Sequence, residues 1–273
     1  MRKRKSVKGV HPLFPVTLFI VILCRISGGC SMQKYELPKS EPAIFSWRTD
    51  NLEDLGFLEN LGVLTFFQEV PKGQDSAVLE ALKDYCVYLL DGHPAMELEE
   101  MKQALLRAER SYQGLVLDVE PYGLAEWSLE ENRSEIIDRY CERVEALYAY
   151  ARELDVELIL CIPFWYDELG FKEQLERIVR SSDGICVMNY SRGHERAKIA
   201  EEYRLAGKYG KKLWTVYELT QCDGKGIMEE NTYHDQGLNA VLKNYKKVFS
   251  DTGIGLAFHD LTAVRQAAIQ WRR

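Results

Sequence analysis

Gly114-Leu-Val-Leu-Asp118-Val-Glu120-Pro121-Tyr122 is a short apolar run that closes on two carboxylates. Behind it, Ser128-Leu-Glu-Glu131 has the form of a capping box, in which a serine oxygen and a glutamate satisfy free N–H groups at a helix start. Ile137, Tyr140, Val144, Leu147, Ala151 and Leu154 then recur at helical spacing, so that one stripe faces a core. A second apolar run follows at Glu157–Pro163. The stretch therefore reads as strand, amphipathic helix, strand.

Outward from this unit the same alternation repeats. Apolar runs stand at Ala43–Trp47, Val63–Val70, Cys86–Leu90, Gly184–Tyr190, Lys212–Tyr217 and Ile254–His259, each followed by a helical pattern. Leu238, Val241, Leu242, Tyr245 and Val248 form one such stripe. Several runs are almost continuously apolar, as strands buried on both faces must be. The alternation matches an α/β fold of the (β/α)8 TIM-barrel type, a single domain spanning 43–273. No Gly-x-Gly-x-x-Gly turn follows the first strand, which argues against a dinucleotide-binding sheet. Hydrophobic residues make up 46% of the chain and charged residues 28%, an ordinary globular balance.

The N-terminus reads as a separate object. Met1-Arg-Lys-Arg-Lys5 is basic and Leu13 to Cys24 is apolar, the form of a signal segment over residues 1–30. The apolar run is shorter than the ~20 residues a spanning helix needs, and Arg25 ends it. Ser27-Gly28-Gly29-Cys30 resembles a bacterial lipobox. That resemblance implies cleavage before Cys30, its lipidation, and export to a membrane-tethered place at the cell envelope. An uncleaved signal anchor and ordinary cleavage after a small residue are the competing readings. Residues 31–42 are expected to form a short polar tether.

Beyond residue 30 the chain carries 29 Lys/Arg against 42 Asp/Glu, a formal charge of −13. Such acidity excludes a nucleic-acid partner, because phosphate binding needs a basic footprint. The five cysteines left after Cys24 and Cys30 are expected to be buried free thiols, since a domain of this size does not need disulfide staples.

A barrel of this kind places its chemistry at the C-terminal strand ends. There the sequence offers Trp47, Gln68, Asp91, Asp118, Glu120, Trp165, Asn189, Tyr190, Arg192, Glu218 and His259. Residues two apart on a strand project to the same side, so Asp118 and Glu120 are neighbours aimed at one mouth. Two close carboxyls cannot both ionise freely, and the one left protonated is a general acid. In the competing reading, Arg192 neutralises both and nothing reacts. Trp47, Trp127 and Trp165, with Tyr122 and Tyr166, fall at or after strand ends, where rings would pack on the C–H faces of a pyranose.

Asp118-Val-Glu120 ending the fourth strand, with Met188-Asn189-Tyr190 ending the sixth, resembles the family 18 glycoside hydrolases, the chitinase-like barrels. The resemblance implies that Glu120 protonates the glycosidic oxygen. Asp118 would orient a substrate acetamido group that itself acts as nucleophile, with Tyr190 helping to hold it. Gly114-Leu-Val-Leu replaces the family's longer acidic run before Asp118, and Ser191 stands where it has an aspartate. Over residues 44–271 the chain is also similar to a group of bacterial barrel proteins of unassigned activity, with Asp-Val-Glu-Pro, Met-x-Tyr-x-Arg and final His-Asp strand ends.

Two functions are thus expected. One is a cell-envelope glycoside hydrolase with Glu120, Asp118 and Tyr190 catalytic, and with Trp47, Gln68, Asp91, Trp165, Asn189, Arg192, Glu218 and His259 binding a glycan or other polyhydroxylated ligand. The other is a glycan-binding barrel lipoprotein without catalysis. Glu218 at the seventh strand end also allows an enzymic nucleophile, although Val119 stands where two-glutamate barrels have asparagine. No metal site and no cofactor are expected: Phe45-Ser-Trp47 offers no His-x-His, and the histidines are scattered. There is no Gly-x-Ser-x-Gly elbow. Asp223-Gly-Lys-Gly226 is a weak phosphate-turn pattern.

Overall fold

A computed structural model describes residues 34–222 and 227–271. The expected signal segment with Cys30, the start of the expected tether and the Asp223–Gly226 pattern lie outside the described residues.

Eight parallel strands close in sequence order into a barrel. They are β1 (Ala43–Ser46), β2 (Thr65–Glu69), β3 (Cys86–Asp91), β4 (Gly114–Leu117), β5 (Glu157–Pro163), β6 (Gly184–Met188), β7 (Lys212–Glu218) and β8 (Gly255–His259). The helices are α1 (Asp75–Ala81), α2 (Leu98–Ser111), α3 (Glu130–Leu154), α4 (Lys172–Arg180), α5 (Glu195–Lys198), α6 (Ala200–Tyr209), α7 (Gly237–Phe249) and α8 (Leu261–Trp271). All eight expected strands form at the expected places. The connection after β1 departs from expectation, with a 3-10 turn at Leu55–Leu61 in place of an α-helix. Among the described residues no helix is long and apolar enough to cross a membrane.

Alternate strand residues fill the interior. Phe45, Phe67, Tyr88, Val116, Cys161, Cys186, Trp214 and Ala257 belong to one buried cluster. Phe67 packs edge-on against Trp214 at 5.6 Å, an arrangement that contributes about 0.5–1.5 kcal/mol beyond area burial. The opposite faces of the strands meet the helices. On α3, Ile137, Tyr140, Val144, Leu147 and Ala151 are buried as the stripe required.

Ser128 does not cap α3. It ends a 3-10 turn, where its hydroxyl donates to the Ala125 carbonyl at 2.8 Å, and α3 begins at Glu130 with Leu129 in the cap position, one residue past the serine. The capping box forms instead at Glu97 and Glu100, at the start of α2.

From Lys34 onward the expected tether lies on the N-terminal end of the barrel. The Trp214 indole N–H donates to the Glu41 carbonyl at 2.8 Å, and the Tyr35 ring meets Tyr203 edge-on at 5.3 Å. The Pro42 carbonyl accepts from Leu64 and Thr65. Polar backbone here is satisfied by the barrel rather than by solvent, so this part of the segment belongs to the domain. Among the described cysteines all are free; Cys141, Cys161 and Cys186 are buried, but Cys86 is exposed and Cys222 half-buried.

Candidate active site

A cavity of about 750 Å³ opens at the C-terminal ends of the strands. Its size falls within the range of small-molecule sites. Among the expected residues, Trp47, Asp118, Glu120, Trp165, Tyr190, Glu218 and His259 line it. Strand parity brings them together. Each continues the inward-facing series of its own strand: Phe45 to Trp47, Val116 to Asp118 and Glu120, Cys186 to Met188 and Tyr190, Val216 to Glu218, Ala257 to His259.

The same parity removes others. Gln68, Asp91 and Asn189 each sit one residue out of phase and lie outside the lining. The Gln68 side chain is buried and donates to the carbonyls of Arg48 (3.0 Å) and Glu69 (2.7 Å), tying the first two strand ends together. Asp91 accepts from the backbone N–H of Gly92 at 2.9 Å. Asn189 is buried and donates to the Glu195 carbonyl and to Thr215. Arg192 is also elsewhere: its guanidinium holds Asp235 at 2.6 Å and the Thr232 carbonyl at 3.1 Å, clasping the loops after β6 and β7. The acidic pair therefore has no Arg192 neutralising it.

Asp118 is the most perturbed carboxyl in the cavity. Its Oδ1 is shielded from solvent and has no hydrogen-bond partner. Burial, and secondly the neighbouring Glu120, push its carboxyl up to about 7, against smaller opposing effects from His259 and the Cys161 thiol. Near neutral pH the pair thus holds a proton. Glu120 accepts a hydrogen bond from the Tyr122 hydroxyl. Gly92 allows this crowding: a Cβ there would lie 2.2 Å from the Asp118 carbonyl oxygen. That close approach carries the Asp118 N–H to the Asp91 carbonyl, 2.9 Å away, which continues the β3–β4 ladder past the last strand residue.

Across the cavity, the β7–β8 register sets Glu218 beside His259. Glu218 is 1% exposed and its carboxylate is fully engaged. Oε1 accepts from the N–H groups of Leu219 (2.8 Å) and Thr220 (2.6 Å), and Oε2 faces His259 Nδ1 at 2.8 Å. Burial alone would raise this carboxyl, but the His259 bond and charge and the Thr220 contact hold it below its ordinary value. Both oxygens are thus engaged, which fixes the carboxylate in place. The peptide bond between His259 and Asp260 is cis.

Aromatic rings form the walls. Trp47, Tyr122 and Trp165 line the cavity, with Tyr122 meeting Trp165 edge-on at 5.0 Å. Trp127 and Tyr166 are buried behind them and brace the Trp165 ring at 6.3 Å and 5.2 Å. His93, after the third strand, also lines the cavity, and Pro94, Phe164, Ile227 and Asn231 join the lining without having been among the expected binding residues. Asn231 comes from the loop after β7 and donates to the Tyr190 carbonyl at 2.7 Å. Parity was the available signal for Met188 and Pro163; nothing local marks Asn231.

No protein-family profile and no curated protein matches the sequence. Solved structures do match the fold. A plant class V chitinase mutant from Cycas revoluta, in complex with (GlcNAc)3, aligns with a TM-score of 0.53 and 11% identity, covering 85% of this chain and 100% of that one. The GH18 chitinase from Cycas revoluta with (GlcNAc)3 gives 0.51 and 12% over the same shares. A chitinase from Chromobacterium violaceum gives 0.50 and 9%, covering 84% and 99%. At these identities the likeness is one of architecture: the chain is a single-domain (β/α)8 barrel built as chitinase barrels are.

Proposed function

We propose that this protein is a cell-envelope glycoside hydrolase acting on an amino-sugar glycan, with Glu120 as general acid. One observation carries the reading: Asp118 and Glu120 face the same aromatic-walled cavity, and burial keeps a proton on Asp118 near neutral pH. Glu120 delivers a proton to the glycosidic oxygen as the bond to the leaving sugar breaks. Asp118 supplies the coupled proton and orients the substrate's acetamido group, which attacks the anomeric carbon in place of an enzymic nucleophile. Glu218, saturated by its own hydrogen bonds, leaves that role to the substrate. Tyr190 lines the same cavity, where its hydroxyl can hold the acetamido oxygen. The chitinases that share the fold, with (GlcNAc)3 in their complexes, support N-acetylglucosamine oligomers as first probes. Lipidation at Cys30 would tether the barrel at the membrane surface.

The test is cleavage and binding of tri-N-acetylglucosamine and peptidoglycan fragments by the purified protein and by Glu120→Gln, read by mass spectrometry and calorimetry. The amide keeps the shape and cannot donate the proton, so binding should persist and cleavage vanish. Equal cleavage by both proteins overturns the assignment. A second reading, a glycan-binding barrel without catalysis, is favoured by Ser191 in place of the family's sixth-strand aspartate and by Asn189 turned away from the cavity. Binding without cleavage by the wild type would select it.

A further inference from the structure

Trp47 donates its indole N–H to His259 Nε2 at 3.0 Å. Indole nitrogen is a donor only, so Nε2 must be an acceptor and the ring proton must sit on Nδ1, where it is given to Glu218 Oε2 at 2.8 Å. The heavy atoms alone therefore define a directed relay, from Trp47 through neutral His259 to the Glu218 carboxylate. Its far end is anchored, because the other Glu218 oxygen is held by two backbone N–H groups. Its near end is a half-buried ring in the cavity wall. A second proton on His259 would point Nε2–H at the Trp47 N–H, donor against donor.

We propose that the Glu218–His259 pair is a proton-sensitive clasp that fixes the Trp47 indole as a sugar-stacking wall while His259 is neutral and releases it when His259 is protonated. The inference deepens the glycan reading and rests on it for the identity of what stacks. His259 is 24% exposed, so protons reach it. The charged and titratable groups acting on it are Glu218, Asp260 and Asp118, with the Tyr190 ring tilted against it at 6.2 Å. Burial works against protonation, but the Glu218 bond and the three carboxyl charges outweigh it and raise the imidazole above its ordinary 6.5. The switch therefore lies above the ordinary imidazole value. As pH falls, His259 takes its proton, keeps Glu218 as an ion pair and loses Trp47.

The experiment follows the indole N–H resonance of Trp47 in the 15N-labelled protein from about pH 5 to about pH 9, assigned by its loss in Trp47→Phe. The resonance should move from a hydrogen-bonded position at high pH to a free one at low pH. In Glu218→Gln the amide N–H2 group would face His259 Nδ1 and force the proton onto Nε2. Its Trp47 signal should then sit at the released position throughout and not titrate. A Trp47 resonance unmoved by pH, or moved equally in Glu218→Gln, overturns the clasp, whatever the protein's ligand. Affinity for tri-N-acetylglucosamine should fall about fivefold on the acid side in the wild type, the equivalent of one hydrogen bond. That fall should be absent in Trp47→Phe. Binding that is the same on both sides overturns the stacking role. No binding at any pH with an intact titration removes the glycan reading and the stacking assignment, and leaves the clasp.

Discussion

Asp118→Asn should make the protein more resistant to rising pH. The carboxyl has an ordinary value of 3.8 and is held at about 7 in the fold. That difference corresponds to about 4 kcal/mol penalising its ionised form, at 1.36 kcal/mol per pH unit. Asp118 faces a cavity that water enters, and screening there reduces the measurable effect to about 2–3 kcal/mol. Below the ordinary carboxylate range both folded and unfolded chains hold the proton, and the group contributes nothing that changes with pH. As pH rises through about 4 the unfolded chain ionises first, and the stability associated with the protonated, folded form is lost progressively until about pH 7 or 8. The asparagine variant has no such titration at this position. Urea unfolding of both proteins at a series of pH values gives the difference directly, with the other carboxyls common to both. The wild type should lose about 2–3 kcal/mol relative to Asp118→Asn between about pH 4.5 and about pH 8. A difference constant within about 0.5 kcal/mol, or one in which the wild type gains stability, would refute the claim that burial holds the proton on Asp118.

Gly92→Ala should lower the melting temperature by about 3–10 °C, because its Cβ would meet the Asp118 carbonyl oxygen at 2.2 Å and overpacking costs about 1–3 kcal/mol; an unchanged calorimetric transition contradicts that close approach. Glu218→Gln should reduce kcat/KM by an amount equivalent to about 1–3 kcal/mol, and Glu218→Ala should give no glycosyl azide when azide is supplied. A dead amide variant together with azide rescue would restore Glu218 as nucleophile. Metabolic labelling with an alkyne fatty acid should mark the wild type and not Cys30→Ser; equal labelling, or none in either, returns the N-terminus to a signal anchor.

The eight-strand order was legible in the chain because strands buried on two faces must be continuously apolar and the helices between them must not be. Glu157–Pro163 was even bounded correctly, its burial beginning at Leu158 and running to its end. Asp118 and Glu120 were legible as a pair because a strand's period of two is a covalent fact of the backbone. The same period, applied to every strand end, would have excluded Gln68, Asp91 and Asn189, whose side chains turn toward neighbouring loops, backbone or the outer face.

What no period could reveal is how separate strand ends meet. His259 and Glu218 are 41 positions apart, and only the β7–β8 register sets them at hydrogen-bonding distance. Trp47 reaches His259 because β8 returns to pair with β1 and closes the barrel. Asn231 reaches the Tyr190 carbonyl from a loop with no local signature. Likewise, the sequence brought the two carboxyls side by side, but the burial that keeps a proton on Asp118 comes from the walls that other strands build around it. Local pattern determined the elements and the identity of the acidic pair, since those depend on backbone geometry over a few residues. Pairing of β7 with β8 decided the engagement of Glu218, and closure of the sheet decided the cavity and the direction of the relay, since these need atoms that are neighbours only after the chain has come full circle.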